Sequence, residues 1–148
     1  MCIRDRNDDV NLNGFTTPDN YAGLTLVWQD EFAGNSLNTS DWNFETGDHG
    51  WGNNELQNYV SGTNNAKVAN GLLTIEAKQL GTGFTSARIT TQGKQSFKYG
   101  RIDIRARLPQ GQGIWPALWM LGSNFPTVGW PECGETVSYT HLTLPTKA

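Results

Sequence analysis

Residues 66–91 read AKVANGLLTIEAKQLGTGFTSARITT, and this stretch decides the fold class. Apolar and polar side chains alternate along it, and a period of two is typical of strands with one buried face. Asn70-Gly71 and Gly81-Thr82-Gly83 interrupt the alternation with the turn residues of antiparallel hairpins. The stretch therefore predicts strands over 72–78 and 87–91 in an all-β domain.

Three further segments extend this pattern. Residues 24–32 and 101–108 alternate between apolar and polar side chains, and 101–108 is the clearest strand, with Ile102 and Ile104 on its apolar face. Residues 115–121 are apolar on both faces, which is typical of a strand that lies inside a sandwich or lines a cleft. Because no segment has a helical period, we predict a β-sandwich of two packed antiparallel sheets.

The composition excludes some classes of partner. The chain has 148 residues, which is enough for one domain with a core, and 17% of them are charged. A net charge of −3 without a block of Lys or Arg argues against nucleic acid, because phosphate binding needs a clustered basic face. No run approaches the roughly 18 apolar residues of a membrane-spanning helix. We therefore expect neutral or weakly polar ligands, and neither nucleic acid nor membrane.

Both ends of the chain resemble translated sequencing adapters. Residues 1–6 read MCIRDR and residues 137–146 read VSYTHLTLPT. Both match in-frame translations of the transposon-end adapters used to prepare sequencing libraries, and Thr136 is then the junction codon. We expect residues 1–6 and 137–148 to be non-native on this ground, with an ordinary coil tail as the alternative.

The native stretch begins with a polar segment. Residues 7–22 are rich in Asn, Asp, Thr and Pro, and we expect them to form a leader or linker ahead of a domain portion at 23–136. Within that portion we assign Trp28 and Trp42 to the core. Cys133 is its lone thiol, so no disulfide can be argued inside it.

Six sequence blocks, in the right order, resemble glycoside hydrolase family 16, and most closely its bacterial laminarinases, the endo-1,3-β-glucanases. The blocks are VWQDEF (27–32), GWGNNELQ (50–57), TSARI (85–89), YGR (99–101), GIWPALWML (113–121) and GWPECGE (129–135). The resemblance implies a concanavalin-like jelly roll with an open cleft for the glucan on its concave sheet. Residues 23–136 would be the N-terminal half of that domain, so the fold is truncated after about half its length.

The resemblance also implies endo-hydrolysis of β-glucan, above all laminarin-like β-1,3-glucan, with retention. Such hydrolysis uses two carboxyl groups roughly 5 Å apart, one as the nucleophile and one as the acid and then the base. Family members carry them on one strand as E-I-D-I-x-E. Residues two apart on a strand share a face, so the last Glu returns to the face of the first only if a bulge adds one residue.

Glu135 stands at the nucleophile position of this motif. Thr136, Val137 and Thr140 occupy the positions of the Ile, the Asp and the acid/base Glu. The acid/base partner is therefore absent from this chain, and we expect the chain itself to be inactive. Taken alone, Glu135 could instead be a solvated carboxylate in a turn.

The sugar-binding candidates are aromatic and polar side chains, because pyranose rings stack on aromatic faces while their hydroxyls need polar partners. By resemblance to the family's cleft, the candidates for stacking are Trp115, Trp119 and Trp130. The polar candidates are Asn54, Glu55 and Arg88, with Trp51 beside them. Tryptophans in a sandwich are more often core residues. Asn54 and Glu55 could simply satisfy their own turn, and Arg88 could pair with an acid on the neighbouring strand.

The remaining expectations concern cofactors, partners and location. His49 shows no metal-ligand spacing, and we expect no cofactor, although several family members carry a structural calcium. The family implies a monomer that acts on a polysaccharide outside the cell, in the periplasm or at the cell surface. Two alternatives stay open: a catalytically silent carbohydrate-binding jelly roll, and a family 16 enzyme for another polysaccharide such as mixed-linkage glucan or a galactan.

Overall fold

The computed structural model describes residues 18–111 and 113–140 and confirms the all-β class. The predictions on residues 1–17 and 141–148 lie outside the described residues. In the described part, the strands are β1 (Asn43–Glu45), β2 (Gln57–Tyr59), β3 (Ala66–Ala69), β4 (Leu72–Ile75), β5 (Lys78–Leu80), β6 (Gly83–Ser86), β7 (Arg88–Thr90), β8 (Ala117–Leu121) and β9 (Glu135–Thr140). A 3-10 turn at Gly50–Gly52 and one helical turn, α1, at Phe125–Val128 accompany them.

The described strands are hydrogen-bonded in four small sheets rather than in two continuous ones. Their strand orders are β1-β7, β2-β6-β5, β3-β4 and β8-β9. All pairs are antiparallel except β2 and β6, which run parallel. The predicted strand over 72–78 is divided into β4 and β5, and those over 87–91 and 115–121 appear as β7 and β8.

The β3-β4 hairpin forms as the sequence predicts. Asn70 and Gly71 both have positive φ, 53° and 72°, as a two-residue hairpin turn of the mirror-image type requires. This turn fixes the register that pairs Ala66 with Ile75 and Val68 with Leu73. These four side chains and Ala87 form the buried core, in which Leu73 is only 1% exposed. Burial of alternate positions on both strands therefore follows directly from the two-residue period.

The strands predicted at 24–32 and 101–108 are wrong for most of their length. Residues 24–32 and 101–106 form no strand, and Leu26 and Ile102 are 64% and 47% exposed. Instead, side-chain bonds hold the first segment: Asp30 accepts from the backbone N–H of Phe32 and from Nε1 of Trp42, both at 2.8 Å. Alternating apolar side chains favour a strand in both segments, but a strand also needs a neighbouring strand to accept its backbone hydrogen bonds.

The tryptophans assigned to the core lie beside it. The rings of Trp28 and Trp42 meet edge to face with centroids 5.8 Å apart, and Phe97 lies 6.1 Å from Trp28. Both tryptophans are half-buried rather than fully enclosed. Phe32 joins this aromatic cluster to the core, because its ring lies 6.1 Å from that of Trp42 and packs against the five buried residues.

The chain divides into two compact units, Met1–Arg107 and Leu108–Ala148. The first contains β1 to β7 and the buried core, and the second contains β8, α1 and β9. The last residues of the predicted leader belong to the first unit, where Tyr21 donates a hydrogen bond to Asp103 and stacks under the Arg101 guanidinium at 4.1 Å. Among the described residues, no helix has the length and apolar character needed to cross a bilayer.

Candidate active site

Glu135 is the first residue of β9 and lies directly opposite Leu121 at the end of β8. Two positions further along, Val137 lies opposite Trp119. Directly opposed residues of an antiparallel pair share a face of the sheet. Glu135 and Trp119 therefore lie on the same face of the β8-β9 sheet, in diagonal positions.

A bulge interrupts β9 within residues 137–140, which are expected to be non-native. Leu118 pairs with Tyr139 while Trp119 pairs with Val137, so Ser138 is the extra residue. Positions 135, 137 and 140 consequently pair with Leu121, Trp119 and Ala117, which are two residues apart on β8. The backbone thus places all three motif positions in the same phase of the sheet, although this chain has a carboxylate at only the first of them.

Trp130 reaches Glu135 through a hydrogen bond. Its indole Nε1 donates to Oε2 of Glu135 at 3.0 Å. The connecting segment is a hydrogen-bonded double turn, with the N–H of Cys133 bonded to Gly129 O and the N–H of Gly134 bonded to Pro131 O, both at 2.9 Å. The indole remains 65% exposed, so its ring can still receive a ligand.

The other two tryptophans of this unit differ in exposure. Trp115 precedes β8 and is 47% exposed, whereas Trp119 is half-buried within the strand. The second unit therefore brings Trp119 and Trp130 to Glu135. Trp115 offers an exposed ring just ahead of the strand that carries Trp119.

Gly122 closes the hairpin that presents Glu135. Its N–H donates to Gly134 O at 3.1 Å, and a Cβ at this position would lie 2.1 Å from the carbonyl oxygen of Cys133. Such a contact is far inside van der Waals distance, so any side chain there forces the β8-β9 connection apart. Glycine is therefore required at 122 by close approach of the backbone.

Gly122→Ala is expected to lower the free energy of unfolding by about 1–3 kcal/mol, the usual cost of forced overpacking. The measurement is chemical denaturation followed by tryptophan fluorescence. Gly83→Ala is the matched control, because a Cβ there lies 3.8 Å from its nearest neighbour, Leu80 O. Equal stability of the two variants would contradict the close approach at Gly122.

In the first unit, Arg88 pairs with an acid on the neighbouring strand. Glu45 of β1 lies directly opposite Arg88 of β7, and the Arg88 Nε to Glu45 Oε2 distance is 2.5 Å. Both side chains are mostly buried, at 23% and 26% exposure. The cross-strand pairing named as the alternative for Arg88 is thus present, and it fixes the direction of the guanidinium.

The Arg88 guanidinium also covers Trp51. Its carbon lies 4.7 Å from the centre of the indole, and the rings of His49 and Tyr59 lie 4.3 Å and 5.6 Å from it. The Trp51 Nε1 donates to Gly47 O at 3.2 Å. Trp51 is therefore held by contacts within its own unit, and its ring supports the Arg88 guanidinium.

Glu55 is the acceptor in a second group of hydrogen-bonded polar side chains. Its Oε2 accepts from the Tyr59 hydroxyl at 2.7 Å and from Gln57 Nε2 at 2.6 Å. Burial, and then the bond to the Glu55 carboxylate, raise the pKa of Tyr59 from 10.0 to about 12. Asn54 is exposed, and its positive φ of 55° marks it as a turn residue beside this group.

Three residues of this first-unit site were missed by the sequence reasoning: Glu45, Gln57 and Tyr59. Glu55, Gln57 and Tyr59 are spaced by two, so their common strand face could have been read from the sequence. Glu45 gave no such signal, because its partner is defined only once β1 pairs with β7. Among the described residues, no group of three or more His, Cys, Asp or Glu side chains is arranged to hold a metal ion.

Tyr59 is expected to make stability fall with alkaline pH. Its folded-state pKa of about 12 is above the value of 10.0 in the unfolded chain, so its contribution is complete below pH 10 and is lost as the pH rises toward 12. Denaturation midpoints at pH 9 and pH 11 should therefore differ more in the wild type than in Tyr59→Phe. Tyr99→Phe, at an exposed ring, is the control and should keep the wild-type difference.

Comparison with known proteins bears on this arrangement. The model of the glycosyl hydrolases family 16 matches residues 53–135, from the Asn54 turn to Glu135. The chain belongs to glycoside hydrolase family 16. The solved laminarinase from Flavobacterium sp. UMI-01 matches with a TM-score of 0.75 and 55% identity over 79% of this chain and 52% of its own. This likeness confirms the jelly-roll fold class predicted from the sequence.

Two curated relatives show the range of the match. Glucan endo-1,3-beta-glucosidase A1 of Niallia circulans is 42% identical over 86% of this chain and 21% of its own length. A beta-1,3-glucan-binding protein of Penaeus monodon is 49% identical over 34% of this chain and 14% of its own. The chain thus spans about half of the solved laminarinase and smaller shares of these curated relatives.

Proposed function

We propose that the intact protein containing this family 16 segment is a retaining endo-hydrolase of β-1,3-glucan, with Glu135 as its nucleophile. One observation carries the proposal: Glu135 begins β9 on the face of the β8-β9 sheet that also bears Trp119, and its carboxylate accepts a hydrogen bond from the exposed Trp130. A carboxylate beside aromatic rings is the arrangement that a nucleophile for a sugar ring needs. The glucanase and laminarinase names of the relatives support glucan as the substrate.

The chemistry assigns a role to each motif position. In the first step an oxygen of Glu135 bonds to the anomeric carbon as the glycosidic C–O bond breaks, and the acid at position 140 gives its proton to the leaving oxygen. In the second step the group at 140 takes a proton from water, and the water oxygen replaces Glu135 at the same carbon. Two inversions at one centre leave the β configuration unchanged.

This chain has the first group and lacks the second. Position 140 is Thr and position 137 is Val, so neither can give or take a proton at neutral pH. We propose that residues 1–6 and 137–148 are non-native and that the uninterrupted gene encodes Asp at 137 and Glu at 140. The 148-residue chain itself is then inert toward glucan.

Sugar binding is assigned to the exposed aromatic rings and the first-unit polar groups. Trp115 and Trp130 are 47% and 65% exposed, so their rings are accessible for stacking on a pyranose. Arg88, fixed by Glu45, and Glu55, fixed by Tyr59, are oriented hydrogen-bonding groups. A polymeric glucan is too large to enter a cell, so we propose that the protein acts outside the cell, in the periplasm or at the cell surface. We also propose that it acts as a monomer.

Two linked measurements test the function. The parent gene is sequenced across codon 136, and the protein that it encodes without the adapter residues is called the uninterrupted protein. This protein is assayed for reducing ends released from laminarin. Proton NMR follows which anomer of the product forms first. We expect a Glu five residues after Glu135, internal cleavage and an initial β-anomer. No carboxylate shortly after Glu135, or an initial α-anomer, would contradict the proposal.

A second candidate is glucan binding without hydrolysis. The glucan-binding relative from Penaeus monodon favours it, as do Val137 and Thr140 if they are native. Affinity electrophoresis of the uninterrupted protein in laminarin-containing gels discriminates between the two functions: retarded migration without released sugar would indicate a binding protein. The same assays with mixed-linkage glucan and with a galactan test the other specificities.

A further inference from the structure

A hydrogen bond joins the indole of Trp130 to the carboxylate of Glu135. The donor is the indole Nε1, the acceptor is Oε2 of the proposed nucleophile, and they are 3.0 Å apart. A hydrogen bond from an N–H to a carboxylate is stronger than one between neutral groups, and it selects one rotamer of the acid. With Oε2 engaged, Oε1 is the oxygen directed at the substrate.

Trp130 is held so that this bond persists. The double turn from Gly129 to Gly134 fixes its backbone with two hydrogen bonds, and the N–H of Gly122 ties Gly134 to the end of β8. The indole donor and the carboxylate are therefore carried by one hydrogen-bonded connection. At 65% exposure, the same indole still presents its ring to a ligand.

We propose that Trp130 is a positioning residue for the nucleophile: its N–H orients Glu135 and stabilises the carboxylate when it departs as the leaving group. This inference rests on the proposed function. In the first chemical step the carboxylate loses its charge to a covalent bond, and in the second step it regains that charge. A donor on Oε2 favours the charged form, so its contribution is greatest in the second step.

The proposal separates the N–H of Trp130 from its ring. Trp130→Phe keeps an aromatic face for the sugar but removes the donor. Trp130→Ala removes both. A ring that only stacks on the sugar predicts weaker substrate binding in Trp130→Ala and little change in Trp130→Phe, whereas a positioning donor predicts a slow second step in Trp130→Phe.

The first experiment uses the uninterrupted protein labelled with ¹⁵N-tryptophan. The indole N–H resonance of Trp130 is assigned from its loss in Trp130→Phe. We expect Glu135→Gln to move this resonance upfield, since a neutral amide is a weaker acceptor than a carboxylate, and to leave the Trp28 indole resonance in place. An unmoved Trp130 resonance would overturn the proposal, whether or not the protein hydrolyses glucan.

The second experiment uses the uninterrupted protein and dinitrophenyl β-laminaribioside. Its dinitrophenolate leaving group departs without a proton from the catalytic acid. We expect Trp130→Phe to lower kcat about tenfold and to lower KM with it, because the covalent intermediate accumulates, and to show a burst of dinitrophenol. Val128→Ala, at an exposed position of α1, is the matched control and should keep wild-type kinetics.

The outcomes of the two experiments are distinguishable. Wild-type values of kcat and KM in Trp130→Phe, or a fall in kcat with no burst, would overturn the positioning role while leaving hydrolysis intact. Absence of dinitrophenol release by the wild-type protein would instead overturn the proposed function. The NMR result alone would then show whether Trp130 donates a hydrogen bond to Glu135.

Discussion

Glu135→Gln in the uninterrupted protein is expected to lower kcat on laminarin by about 10⁴-fold or more. Glutamine has the shape of glutamate and can still accept a hydrogen bond from Trp130, but its amide oxygen is too weak a nucleophile to form the glycosyl intermediate. Substrate binding should change little, because the interaction removed is made in the chemical step. The measurement is the release of reducing ends, with KM determined separately.

The matched control for this prediction is Glu132→Gln. Glu132 is exposed and lies in the same turn, three residues before Glu135. It carries the same charge but lies outside the E-I-D-I-x-E motif that begins at Glu135, so kcat should stay within a factor of two of the wild type. A similar loss in both variants would show that the turn tolerates no substitution and would remove the evidence for a nucleophile at 135.

Leu73→Ala is expected to destabilise the fold by about 2–5 kcal/mol, the range for a Leu truncated in a packed core. Leu73 is 1% exposed and pairs with Val68 across the β3-β4 hairpin, so the deleted methyl groups leave a cavity. Chemical denaturation of the uninterrupted protein gives the change in the free energy of unfolding.

Leu80→Ala is the control for Leu73→Ala. Leu80 lies in β5 of the same unit and is 73% exposed, so the same atoms are removed from a site that is already hydrated. Its effect should stay within about 0.5 kcal/mol. A large loss at Leu80, or a small one at Leu73, would show that the core is elsewhere.

The sequence predicted the β3-β4 hairpin because everything that determines it is local. Asn70-Gly71 sets the turn, and the two-residue period sets which side chains are buried. Residues 101–106 have an equally clear period, yet they form no strand and leave Ile102 and Ile104 half exposed. Alternation defines a face for burial but does not supply the neighbouring strand that satisfies the backbone.

In the candidate site, too, local features were predictable from the sequence and features that depend on strand pairing or burial were not. The proximity of Trp130 to Glu135 was predictable because only five residues separate the two. The pairing of Arg88 with Glu45 was predictable only as an alternative, since 43 residues separate the two and only strand pairing joins them. The high pKa of Tyr59 depends on burial and on Glu55, neither of which sequence spacing measures.

The most direct test of a nucleophile at position 135 is covalent trapping. A 2-deoxy-2-fluoro laminaribioside with a dinitrophenyl leaving group is incubated with the uninterrupted protein, since the fluorine slows both steps while the leaving group speeds the first. We expect one sugar adduct per molecule by intact mass, and peptide sequencing should place it on Glu135. An adduct on any other residue, or full turnover of laminarin without an adduct, would contradict the account.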